Sequence, residues 1–63
     1  MQYRVKEIRE ELGISQEALA AKSNVSRTII SGLESGSIKE TSTKTLSKIA
    51  DALGKKVSEI FLE

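Results

Sequence analysis

The sequence predicts a single all-α domain of five helices, and three observations support this fold class. Apolar side chains recur three or four positions apart and do not alternate, which is the spacing of helices. Serines stand where helices would begin and glycines where they would end, and the chain contains no proline. A chain of 63 residues has room for one small core, so we expect one domain over residues 1–63.

The first helix is predicted over residues 3–12, and a glycine follows it as a stop signal. Val5, Ile8 and Leu12 form its inward face, because residues three and four positions apart share one side of a helix. The second helix is predicted over residues 16–22, behind a serine whose hydroxyl can accept a hydrogen bond from a first-turn amide.

The third helix is predicted over residues 27–34, and the fourth from residue 42 or 43 to residue 53. A serine precedes the third helix, and a glycine closely follows each of the two. The fourth has the clearest amphipathic pattern, with apolar side chains at i, i+3, i+4 and i+7: Leu46, Ile49, Ala50 and Leu53. Residues 36–41 lack helical periodicity and are expected to form an exposed loop.

The fifth helix is predicted from residue 59 to the chain end, with Ser58 as its N-cap. Val57 and Leu62 would form a hydrophobic staple around its start. This segment holds more apolar side chains than a short terminal helix needs to close a core. We expect Val57 and Ile60 to close the core, and we regard Val57, Phe61 and Leu62 as a candidate dimer interface.

The composition excludes several classes of function. The chain has no cysteine and no histidine, which removes disulfides, thiolate chemistry, histidine-based catalysis and almost every structural zinc site. No apolar run approaches the roughly 18 residues of a membrane span. We expect a cytoplasmic domain that is not an enzyme, with no metal, cofactor, membrane or small-molecule partner. The net charge is only +1, so any DNA binding depends on a few well-placed groups.

The stretch QEALAAKSNVSRTIISGLES, residues 16–35, carries the functional signal. It would form two short helices joined by about four residues, at positions 23–26. Asn24 suits this joint, because asparagine tolerates a left-handed backbone better than most residues do. Ala20 is small where the two helices would cross, which lets their backbones approach.

The chain resembles the phage repressor and Cro family of DNA-binding proteins, the Cro/C1-type helix-turn-helix domain, over essentially all of its length. Three segments carry the resemblance, in the family's order and spacing: LGISQEALA (12–20), VSRTIISGLESG (25–36) and TLSKIADALG (45–54). The resemblance implies a compact five-helix, lambda-repressor-like domain, with a helix-turn-helix formed by helices 2 and 3. Helix 3 would lie in the major groove of double-stranded DNA.

The resemblance also implies roles for individual residues. Five positions match base-reading positions of the family: Gln16, Arg27, Thr28, Ser31 and Gly32. Six others match positions that contact phosphates: Ser15, Ser26, Lys39, Thr41, Thr43 and Lys44. Arginine can grip guanine O6 and N7, and threonine can offer its hydroxyl or its methyl. Arg9 matches an arginine that forms a structural pair with an acid at the end of helix 3, here Glu34.

Two functions of different classes follow from this interpretation. The first is a sequence-specific transcriptional regulator, most simply a repressor, that occupies an operator in the nucleoid as a homodimer that forms in solution or only on DNA. The second is a protein-interaction module on the same fold, such as an antitoxin or an adaptor subunit. The near-neutral charge and the glycine at base-reading position 32 favour the second slightly.

Overall fold

In the computed structural model, which describes the backbone of residues 2–62 and the side chains of residues 3–60, five helices lie between two short strands. In chain order the elements are β1 (Gln2–Tyr3), α1 (Val5–Glu11), α2 (Gln16–Ser23), α3 (Arg27–Ser35), α4 (Thr43–Leu53), α5 (Val57–Ile60) and β2 (Phe61–Leu62). The predicted five-helix fold class is therefore confirmed.

The two chain ends pair as an antiparallel ribbon that helical periodicity did not predict. Its register is Gln2 opposite Leu62 and Tyr3 opposite Phe61. The predicted first helix was therefore wrong at its start, since α1 begins at Val5, and the predicted fifth helix was wrong at its end, since α5 stops at Ile60. Strands of two residues are too short to show alternation, and their pairing joins positions at opposite ends of the chain.

The start of α5 also differs from the prediction. Ser58 lies inside the helix and is not its N-cap, because α5 begins at Val57. The cap interaction comes from Glu59, whose Oε1 accepts a hydrogen bond from the backbone N–H of Lys56 at 2.9 Å. This is the glutamate half of a capping box. The predicted staple is wrong in its first position, and the side chain of its second, Leu62, lies outside the described residues.

Side-chain caps and left-handed residues delimit the three longest helices. Serine hydroxyls accept hydrogen bonds from the amide three positions ahead at the starts of α2, α3 and α4: Ser15, Ser26 and Ser42. The turn after α2 is made by Asn24 at φ 58°, which confirms the role expected for this residue. The starts of α2 and α3 lie close together, since Oε1 of Gln16 is 3.5 Å from Nε of Arg27.

The core lies where the inner faces of the helices meet. Its buried apolar residues are Val5, Ile8, Leu19, Val25, Ile30, Leu33, Leu46, Ile49, Ala50, Leu53 and Ile60. Leu12 was predicted to belong to it but is 51% exposed. Helical spacing predicts which side of a helix a residue faces, but α1 ends at residue 11 and Leu12 lies beyond it. Leu12 instead lines a surface groove beside Lys22 and Ala52. Because α3 packs against α1 and α2, its opposite side remains at the surface.

Candidate nucleic-acid interface

The start of α2, the outer side of α3 and the following loop enclose one shallow surface recess. It brings together all five predicted base-reading residues: Gln16, Arg27, Thr28, Ser31 and Gly32. Ser37 and Ile38 complete its wall. The resemblance assigned those five residues one by one, and the fold places them around one concave surface.

Three of these residues present polar side chains from α3 itself. Arg27 and Thr28 are its first two residues, and Ser31 lies one turn after Arg27. All three are exposed. Residues three and four positions apart on a helix project from the same side. The outer side of α3 therefore displays a guanidinium and two hydroxyls, which are donors and acceptors suited to base edges.

Gly32 lies beneath this surface. It is buried, and a Cβ at this position would collide with Cγ1 and Cδ1 of Ile38 and lie 3.3 Å from its Cβ. The Ile38 backbone N–H also donates to the Gly32 carbonyl at 3.0 Å. The glycine thus makes room for Ile38, which sequence analysis passed over. The available signal was that Ile38 is the one apolar residue within the loop at 36–41.

The candidate phosphate-binding residues fall into two groups. Ser15 and Ser26 are exposed N-caps beside the recess, with hydroxyl oxygens 3.0 Å from the Ala18 nitrogen and 3.3 Å from the Ile29 nitrogen. Each hydroxyl uses an oxygen lone pair in its cap, so its O–H can still donate to a phosphate. The second group lies outside the residues that line the recess, in the loop and the first turn of α4: Lys39, Thr41, Thr43 and Lys44.

The loop that carries the second group is tied to the start of the chain. The Tyr3 hydroxyl donates to the Lys39 carbonyl at 3.1 Å. Lys39, Thr43 and Lys44 are exposed, whereas Thr41 is half-buried. Two lysines and a threonine are therefore open to solvent beside the loop that covers Gly32.

Arg9 and Glu34 form a largely buried, bidentate ion pair next to the recess. Nε and Nη2 of Arg9 donate to the two carboxylate oxygens of Glu34 at 2.8 and 3.0 Å. The side chains are 12% and 4% exposed, respectively. Nη1 of Arg9 also donates to the Ile14 carbonyl at 2.8 Å, so the guanidinium joins α1, α3 and the turn before α2. This arrangement holds the elements of the recess together.

The ion pair changes the acidity of both partners. Burial by itself would raise the pKa of the Glu34 carboxyl, but the hydrogen bonds from Arg9 and Gln16, together with the positive charges of Arg9 and Lys6, outweigh it. The pKa of Glu34 is therefore below its ordinary value. The pKa of Arg9 is raised, mainly by its hydrogen bonds to Glu34. Both groups are charged at neutral pH.

Gln16 connects the buried pair to the surface of the recess. Its Nε2 donates to Oε1 of Glu34 at 3.0 Å, and its Oε1 accepts a long hydrogen bond from Nε of Arg27 at 3.5 Å. Nη1 of Arg27 donates in turn to Oε1 of Glu17 at 3.1 Å. Glu17 was missed as a site residue, because its partner lies ten positions away on another helix and local sequence patterns do not show such a contact.

Of the predicted dimer residues, Val57 is not among the described residues that line the recess. Val57 is half-buried and packs against the core. The side chains of Phe61 and Leu62 lie outside the described residues. In the part of the chain that the structure describes, no cluster of three acidic side chains could hold a metal ion. Within that same part, none of the helices has the length and apolar character needed to cross a membrane.

Comparison with known proteins agrees with this fold. A family model described as helix-turn-helix matches residues 5–60, which span α1 to α5. The family is one of DNA-binding regulatory domains of the Cro/C1 type. No curated protein matches the chain.

Proposed function

We propose that this chain, which belongs to the helix-turn-helix family of DNA-binding regulators, is a transcriptional repressor that recognises a specific operator. One observation carries the proposal: the five residues that we predicted to read bases line one recess, and three of them project exposed polar side chains from the outer side of α3. In this family the second helix of the motif enters the major groove, and α3 is the second helix of the motif in this chain.

Base recognition would come from the first turns of α3. Arg27 can donate two hydrogen bonds to O6 and N7 of a guanine, which is the commonest specific contact in the major groove. Thr28 can offer its hydroxyl to a base edge or its methyl to a thymine. Ser31, one turn further, can do the same through its hydroxyl. Gly32 is buried beneath these side chains and contributes indirectly, because it leaves the room that Ile38 occupies.

Phosphate contacts would fix the register of α3 on the duplex. The exposed caps Ser15 and Ser26 directly precede the recess residues Gln16 and Arg27, and the exposed Lys39 directly follows Ile38. Lys44 is exposed in the first turn of α4. A net charge of +1 provides little attraction at long range. Counterion release depends on the number of phosphates that cations neutralise, and the candidate phosphate contacts contain two cations, Lys39 and Lys44. We therefore expect a shallow salt dependence for a DNA-binding domain.

The operator would be occupied by two copies of the chain. In this class of proteins a dimer places its recognition helices about 34–36 Å apart, one turn of DNA. The proposed interface is the end of the chain, with Val57, Phe61 and Leu62, either in solution or only on DNA. Repression would follow from occupying the operator, in the cytoplasm and at the nucleoid, without a metal, a cofactor or a small-molecule signal.

Selection of random duplexes by the purified protein at near-physiological salt tests the proposal. We expect enrichment of a two-fold symmetric sequence. Arg27→Ala should then cost about 1–3 kcal/mol of binding free energy and relax the preference at one position of each half-site. Lys22→Ala is the matched control, because it also removes one exposed cation from the motif but lies in a different groove. No enrichment with the wild-type protein would overturn the proposal.

The alternative, a protein-interaction module on the same fold, has less support than the sequence suggested. One of its two arguments was the glycine at position 32, and the contact with Ile38 now accounts for that residue. The low net charge remains its argument. Binding that is uniform over duplex sequences and disappears as salt rises would favour this alternative.

A further inference from the structure

We infer that Glu17 contributes to DNA sequence specificity. It holds the Arg27 guanidinium in place for base recognition and makes contacts between that guanidinium and DNA phosphates unfavourable. This inference rests on the proposed function, because it assigns Glu17 a role in the same interface. Its basis is the ion pair between Nη1 of Arg27 and Oε1 of Glu17, 3.1 Å apart at the edge of the recess.

The start of α2 provides two acceptors for one guanidinium. Oε1 of Glu17 accepts from Nη1 of Arg27, and Oε1 of Gln16 accepts from its Nε more weakly, at 3.5 Å. Arginine has five N–H donors, so these contacts leave one on Nη1 and two on Nη2. A guanine needs two donors, and the terminal nitrogens can supply them while Glu17 keeps its contact.

Gln16 can present only its oxygen to Arg27. Its Nε2 donates to Glu34, whose carboxylate is 4% exposed and, being ionised, accepts only. Reversing the amide would place the Gln16 oxygen against that carboxylate. The orientation of Gln16 therefore derives from the buried ion pair, and the acceptors that face Arg27 are held by the core as well as by α2.

Arg27 can contact DNA at a phosphate or at a guanine, and the negative charge of Glu17 affects these two contacts differently. A long arginine that is free to move binds any phosphate, which adds affinity without sequence information. To reach a phosphate here, Arg27 would have to leave Glu17, and Glu17 itself would repel the phosphate. At a guanine the ion pair persists. Glu17 should therefore weaken binding to arbitrary sequences more than binding to the operator.

The effect should be small, because both side chains are exposed, at 59% for Arg27 and 76% for Glu17. An exposed ion pair of this kind changes an equilibrium by about two- to five-fold. Glu17→Gln should accordingly tighten binding to a scrambled duplex about two- to five-fold more than binding to the selected operator. The ratio of the two affinities should fall by that factor.

The experiment compares Glu17→Gln with Glu11→Gln, which removes the same charge from an exposed position on α1 outside the recess. Affinities for the selected duplex and for a scrambled duplex of equal length are measured at several salt concentrations. For Glu17→Gln the salt slope on the scrambled duplex should steepen by about one, as Arg27 gains a phosphate. Glu11→Gln should change both affinities equally. Thermal unfolding of both variants should match the wild type.

A double variant shows whether Glu17 acts through Arg27. In an Arg27→Ala background, Glu17→Gln should leave the affinity ratio unchanged. An affinity ratio that Glu17→Gln does not alter, or that Glu11→Gln alters equally, would overturn this inference and leave the proposed function intact. A wild-type protein that shows no preference for any duplex would overturn both.

Discussion

Two arginine–glutamate pairs meet at Gln16, and they differ in burial far more than in the distance between their charged atoms. Arg9 lies 2.8 Å from Glu34, and Arg27 lies 3.1 Å from Glu17. The first pair is 12% and 4% exposed, whereas the second is 59% and 76% exposed. The same two side-chain types thus form an internal brace in one region and an accessible donor in the other. Burial, and not the ion pair as such, decides which role results.

The physical reason is desolvation. Arg9 and Glu34 have given up most of their water, so each depends on the other and on added hydrogen bonds from Gln16 and to Ile14. Arg27 and Glu17 keep their water, which screens their attraction and makes the contact easy to exchange. The first pair therefore supports the fold, and the second can rearrange when DNA approaches.

The largest effect is expected when the buried pair is broken. Arg9→Met leaves the Glu34 carboxylate without its main partner and should destabilise the fold by about 3–5 kcal/mol, measured by urea unfolding. The whole stability of a domain of this size is roughly 3–9 kcal/mol, so this variant can be partly unfolded at 25 °C. Replacing both partners, Arg9→Met with Glu34→Leu, should recover much of the loss.

A matched control is present at the start of α1. Arg4 pairs with Glu7 at 3.2 Å, with side chains 37% and 55% exposed. Arg4→Met should cost no more than about 1 kcal/mol. Equal losses for Arg4→Met and Arg9→Met would show that burial does not separate the regions in the way that the structure indicates.

The next largest effect concerns Gly32, which is buried in α3 against Ile38. Gly32→Ala brings a methyl group into the space of Ile38 and should cost about 1–3 kcal/mol, although alanine favours a helix. Ile38→Ala in the same chain should remove most of that added cost, which a double-mutant cycle measures. Ser31→Ala, at the neighbouring exposed position, should stay within about 0.5 kcal/mol. An unchanged unfolding free energy for Gly32→Ala would show that the loop with Ile38 moves aside at no cost.

A smaller effect should appear in the dependence of stability on pH. The pKa of Glu34 is lowered in the folded chain, so its ionised form adds stability above the unfolded pKa of about 4.3, and this is lost as the pH falls through the folded value. The difference in unfolding free energy between the wild type and Glu34→Gln should therefore shrink between neutral and acidic pH. Urea unfolding at a series of pH values measures it. A constant difference would contradict the role assigned to the carboxylate.

The smallest effect is expected for the exposed pair. Arg27→Ala, Glu17→Gln and the double variant should each change stability by no more than about 0.5 kcal/mol, with a coupling at the low end of that for surface pairs. Thermal unfolding of the four proteins of the cycle measures this. A coupling as large as that expected for Arg9 and Glu34 would place Arg27 among the residues that hold the fold.

Local patterns predicted most of the architecture. Helical spacing and the serine and glycine signals placed α2, α3 and α4 within one or two residues of their bounds, because caps and amphipathic faces depend on neighbouring residues. Leu12 shows the limit of that reasoning. Its spacing assigned it to the inner side of α1, but whether another element covers that position depends on the tertiary packing.

Spacing and resemblance to a family were enough to predict three features before the fold was known. These are the residue types of the recess, the N-caps and the pairing of Arg9 with an acid. Three features required the tertiary structure: the pairing of the chain ends, the contact of Ile38 with Gly32, and the ion pair of Glu17 with Arg27. Each joins residues whose proximity depends on how the helices pack. A chain's local sequence determines where helices begin, end and turn their apolar sides, whereas contacts between helices depend on distances that only the packed core sets.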